Sequence, residues 1–87
     1  MKVTKLTALV DKENAFASAF NRPQLSLQNA QDRQRIAGII DSQLSPENLT
    51  CDGELPRAEV ARRYRFLMAA AKELLALDPT VNIYEFS

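Results

Sequence analysis

Apolar residues recur along this chain at helical rather than strand spacing, and three stretches carry the pattern. In the first, Leu6, Leu9, Val10, Phe16, Ala17 and Phe20 fall on one stripe. That predicts a helix from about Lys5 to Phe20, capped by Thr4. Asn21, Arg22 and Pro23 end it, because the residue before a proline disfavours the helical well. A strand over Lys2 to Val10 is the competing reading. Its apolar positions do not alternate as a half-buried strand requires.

The second stretch predicts a helix that starts after Ser26, a good N-cap, and runs to about Gln43 or Leu44. Ile36, Ala37, Ile40 and Leu44 make its apolar face, with Ile39 at the edge. Its first half, Leu27 to Arg35, is polar nearly all round. Such a segment either projects into water or meets a polar partner. Gly38 sits mid-helix, where it marks a close helix crossing or a break.

Ser45 and Pro46 then predict a short helical turn, and Cys51-Asp52-Gly53 a loop turn. The third helix, Pro56 to about Leu77, carries Val60, Tyr64, Leu67, Met68, Ala71, Leu74 and Leu75 on one face. Glu59 and Arg63 are one turn apart and can pair. Asp78 and Pro79 stop the helix. The tail Val81 to Phe86 reads as extended, packed on the bundle or serving as an edge strand. The expected architecture is a single all-α domain over residues 1–87: three main helices, a short helical turn before the third, and an extended C-terminal tail.

Composition narrows the chemistry. With 46% hydrophobic and 25% charged residues the chain is an ordinary globular sequence rather than a disordered one. At 87 residues it buries only about 60% of the surface its unfolded chain exposes, so a deep substrate cavity is not expected. There is no histidine, which removes the commonest general base and metal ligand. The single cysteine, Cys51, excludes an intrachain disulfide and a Cys-based zinc site, and points to a reducing, cytoplasmic setting. Acidic neighbours would raise its pKa rather than activate it. Asp52 and Glu54 lack the rest of a calcium loop, and the two glycines form no phosphate-binding loop. The N-terminus shows neither a signal peptide nor a membrane span. No catalytic residue, cofactor, metal or small-molecule substrate is therefore expected.

Charge and aromatic placement supply the candidate site. Lys and Arg balance Asp and Glu at eleven each, which lowers the expectation of a dedicated phosphate binder. Arg57, Arg62, Arg63 and Arg65 nevertheless crowd the start of the third helix, against its dipole. They read as a solvated, partly paired face, a protein-binding patch, or a nucleic-acid contact assisted by Arg33 and Arg35. Phe66 lies off the apolar stripe beside Arg62 and Arg63. Either the tail, with Ile83, Tyr84 and Phe86, covers it, or it is exposed for a partner. Glu13 interrupts the first stripe and Arg33 the second. A Glu13–Arg33 ion pair between facing helices would resolve both, and a surface left open for another chain is the alternative. The functional expectation is a small accessory protein, an adaptor or inhibitor, that binds another protein or itself through Arg33, Arg62, Arg63, Arg65 and Phe66. A phage or mobile-element protein would suit that size. A nucleic-acid regulator is the rival.

Overall fold

A computed structural model of the chain describes residues 4–46, 48–49 and 56–86. The architecture is all-α: α1 (Lys5–Ala19), α2 (Ala30–Leu44) and α3 (Arg57–Leu77), followed by an extended strap that closes in a 3-10 turn (Tyr84–Phe86). No strand occurs among the described residues.

Each end of α1 is closed by its own sequence. Thr4 and Thr7 form a reciprocal capping box: the Thr7 N–H donates to Thr4 Oγ1 at 3.2 Å, and the Thr4 N–H donates to Thr7 Oγ1 at 2.8 Å. At the other end Asn21 adopts φ 55°, the left-handed conformation that asparagine tolerates better than most residues. The Arg22 N–H then reaches back to the Ala17 carbonyl at 2.7 Å and the Asn21 N–H to Ser18 at 3.4 Å. This is a Schellman closure with asparagine in the usual glycine place, and Pro23 prevents any continuation.

α2 begins at Ala30, not after Ser26. Asn29 is its cap, its Oδ1 accepting from the N–H groups of Gln31 and Asp32 at 2.9 and 3.2 Å. Asparagine and serine cap about equally well, so tertiary packing decides between them. Leu25 and Leu27, the second in the turn that leads into the helix, both pack against the core. Asn14 on α1 holds this segment in place: its amide donates to the Leu25 carbonyl at 2.9 Å, and its Oδ1 accepts the Leu25 N–H at 2.7 Å. Ser26 instead organises a turn ahead of the helix, with its hydroxyl accepting the Gln28 N–H. Gly38 is neither a crossing point nor a break. It is exposed within a continuous helix, and a methyl group there would meet nothing within 4 Å.

After α2, Ser45 starts the expected turn, its carbonyl accepting the N–H groups of Asn48 and Leu49. The turn expected at Cys51 to Gly53 lies outside the described residues.

α3 packs against both α1 and α2. A helix covered on two sides buries a wider arc than one stripe, and its centre shifts accordingly. Leu67, Ala70, Ala71 and Leu74 are buried; Val60, Met68 and Leu75 are half-buried; Tyr64, expected inside, is 47% exposed. Leu67, Ala70, Ala71 and Leu74 share one core with Leu6, Leu9 and Val10 of α1 and Ile36, Ala37, Ile40 and Leu44 of α2.

The strap completes that core. Val81 and Ile83 are buried in alternation with exposed Asn82 and Tyr84, so the tail packs on the bundle without pairing as a strand. Polar residues along α2 hold it. Gln34 donates to the Asn82 carbonyl at 3.2 Å and accepts the Asn82 N–H at 3.0 Å. Asp41 accepts the N–H groups of Tyr84 and Glu85, each at 2.9 Å, capping the final turn from a neighbouring helix. The polar partner of the first half of α2, through Gln34, is therefore the chain's own C-terminal segment.

Candidate protein-contact face

Leu9, Glu13, Phe16 and Phe20 follow one another at intervals of four, three and four, which places them in one column on α1. The column starts buried at Leu9 and emerges: Phe16 is 59% exposed and Phe20 64%. The sequence stripe placed both phenylalanines inside. The angular position is right, but neither ring is sheltered at that end of α1, and of the last three stripe residues only Ala17 is buried. The two rings stack on each other, with centroids 6.1 Å apart and planes 13° from parallel. The Arg22 guanidinium lies 5.9 Å from the Phe20 ring centre, brought there by the left-handed Asn21.

Beside this column runs an open groove of about 370 Å³. Leu9, Lys12, Glu13 and Phe16 of α1 form one wall, Arg63, Phe66 and Leu67 of α3 the other, and Gln43 and Asn48 close the end. Phe66 is half-buried against the core, at the margin of the α3 face rather than away from it. Among the described residues its groove neighbours come from α1, from Gln43 of α2 and from Asn48, and not from the tail, whose Val81 and Ile83 enter the core and whose final turn sits on α2; the Phe86 side chain lies outside the described residues. A second, smaller cleft of about 170 Å³ lies on the other side of Glu13 and Phe16, between Ala17, Arg22, Pro23, Leu25 and Ile39.

The Glu13–Arg33 pair does not form. Glu13 is half-buried and accepts from Gln43 Nε2 at 3.3 Å. Arg33 turns instead toward the strap, where its Nε meets Asp78 Oδ2 at 2.7 Å and its Nη1 donates to the Leu27 carbonyl at 2.9 Å. The Asp78 carboxyl is held down at about 2, first by the Thr80 hydroxyl, then by Arg33 and the Thr80 N–H. Arg33 is therefore a structural clamp, which removes it from an outward-facing set.

The other candidates divide. Arg63 and Phe66 share the groove, and Arg62, one turn before Phe66, lies beside it. Arg65 is exposed on a different side of α3. Glu59 pairs with Arg62 at 3.2 Å rather than with Arg63. Among the described residues the remaining ion pairs are Arg33–Asp78 and Arg35–Asp32, so Lys12 and Arg63 have no carboxylate of this set within 4 Å. The sequence reading missed Phe16 and Phe20 as surface residues. The available signal was Glu13, a charge in their own column.

No cluster of three or more acidic or cysteine side chains that could hold a metal occurs among the described residues. No described helix is long and apolar enough to cross a membrane. Comparison with protein-family models, with curated proteins and with solved structures finds no match.

Proposed function

We propose that this protein is a small non-catalytic accessory protein, an adaptor or inhibitor, that acts by protein contact through the face formed by Phe16, Phe20, Arg63 and Phe66. The observation that carries the reading is the exposed Phe16–Phe20 stack, continuous with a groove of mixed apolar and charged lining. Burying a phenylalanine side chain is worth about 1.5–3 kcal/mol, and this chain leaves two largely in water. Aromatic anchors beside arginine are the residue types that dominate protein interfaces. The sequence also lacks histidine, the usual base for alternative chemistry.

The test is co-purification from the cells that make the protein, comparing the wild-type chain with a Phe16→Ser/Phe20→Ser variant. A partner retained by the first and lost by the second, with helicity unchanged in both, supports the reading. Equal retention contradicts it, as does turnover of a small molecule by the pure chain that one carboxylate or cysteine replacement abolishes.

One observation favours a nucleic-acid reading: Arg57, Arg62, Arg63 and Arg65 stand exposed on the first half of α3. Phosphate binding by such a set would weaken steeply with salt. Absence of any gel shift with mixed DNA and RNA at low ionic strength removes it.

A further inference from the structure

We infer that the occupant of the α1–α3 groove is an acidic amphipathic helical segment of another protein. It would insert one aromatic or leucine side chain between Phe16 and Phe66 and place carboxylates against Lys12 and Arg63. The inference rests on the contact reading above and adds the chemistry of the partner.

The floor and rim of the groove differ in kind. Phe16 and Phe66 supply apolar surface on facing helices above the buried Leu9 and Leu67, a shape that takes the apolar side of a third helix. The rim is cationic. Lys12 and Arg63 line it from opposite walls without a carboxylate of the described residues in pairing range. Arg22 adds a positive charge on the far side of Phe16. Glu13, the one acid among the described residues lining the groove, accepts a hydrogen bond from Gln43 and is outnumbered by the two cations. An incoming acidic segment would meet charges of opposite sign on both walls.

The same charges argue against other occupants. A two-fold dimer through this face would bring two copies of Lys12 and Arg63 into one interface with only the two Glu13 carboxylates of the described lining to balance them, an excess of like charge that opposes association. A nucleic acid brings a phosphate charge at every nucleotide, where the described lining of the groove offers two cations and the Glu13 carboxylate.

The experiment selects peptides from a displayed random library, long enough for about four helical turns, on the immobilised wild-type chain. The enriched peptides are then synthesised, and their affinity for wild type, Phe16→Ala and Lys12→Glu/Arg63→Glu is measured by fluorescence polarisation. These substitutions lie at surface positions, and circular dichroism checks that each variant is folded. The expected result is enrichment of peptides with an acidic excess around aromatic or leucine residues spaced three or four apart. Their affinity should fall about tenfold or more in the charge-reversed variant, and clearly in Phe16→Ala. Peptides that depend on Phe16 but are neutral or basic overturn the acidic partner and leave the contact reading standing. No enrichment over the Phe16→Ala chain overturns both. Displacement of the peptide by a single-stranded oligonucleotide, or dimerisation of the pure chain that Phe16→Ala abolishes, overturns the inference in favour of that occupant.

Discussion

Arg33 and Asp78 stand forty-five positions apart in the sequence and 2.7 Å apart in the fold. The contact ties the start of α2 to the residue that ends α3, and both side chains are mostly shielded from water, at 22% and 11% exposure. With Gln34–Asn82 and Asp41–Tyr84 it forms a row of polar clasps along α2, under which Val81 and Ile83 reach the core. The strap is thus an integral layer of the domain.

A pH dependence follows from Asp78. Its carboxyl ordinarily titrates near 3.8 and is lowered to about 2 in the fold by Thr80 and Arg33. The lower folded value means that the unfolded chain binds the proton more readily, so this group stabilises the fold above about 3.8, and the contribution is lost as pH falls toward about 2. Urea midpoints measured from neutral pH downward should show wild type ahead of Asp78→Asn at neutral pH. The gap should close across that acid window. Parallel curves through the window would show that the clasp contributes nothing to the pH dependence.

The strap's apolar side chains should matter more than its exposed ones. Ile83→Ala removes a buried side chain and should cost about 2–4 kcal/mol in urea unfolding. Tyr84→Ala, at a ring 75% exposed, should stay within about 0.5 kcal/mol of wild type.

Much of this fold was legible in the sequence, and the failures have physical causes. α1 and α3 could be bounded because their punctuation is local: Thr4, the Asn21–Pro23 stop, Pro56 and the Asp78-Pro79 stop act within a few residues. The start of α2 was misplaced because Ser26 and Asn29 are near-equal caps, and the choice between them follows from the docking of Leu25 and Leu27. Periodicity marked the first half of α2 as polar but could not name its partner, since Gln34 and Asn82 are forty-eight positions apart. Arg33 was singled out correctly as an oddity and paired with the wrong acid for the same reason. In the candidate face, Arg63 and Phe66 were legible from the crowding of charge and aromatic residues. Phe16 and Phe20 were not, because a helical wheel gives direction and says nothing of how far the covering layer extends.

Gly38 offers a stabilising change. It lies in the interior of α2 with open space around its Cα, so alanine would gain helix propensity without a clash. Gly38→Ala should raise stability by about 0.5–1 kcal/mol in chemical denaturation, with no change in the α1–α3 groove.

The phenylalanines should separate by role. Phe16→Ser and Phe20→Ser alter exposed rings and should move stability by no more than about 0.5 kcal/mol. Phe66→Ala empties a half-buried position on the core margin and should cost about 1–3 kcal/mol. Equal losses at all three positions would place Phe16 and Phe20 in the core.

The most direct measurement is a photo-cross-linking scan in the cells that make the protein. A benzoyl-phenylalanine is placed in turn at Phe16, at Phe20 and, as controls, at Arg35 and Tyr84. A contact protein working through the α1–α3 face yields a discrete protein adduct from positions 16 and 20 and none from the controls. Adducts confined to positions 35 and 84, or none from any position, would contradict it.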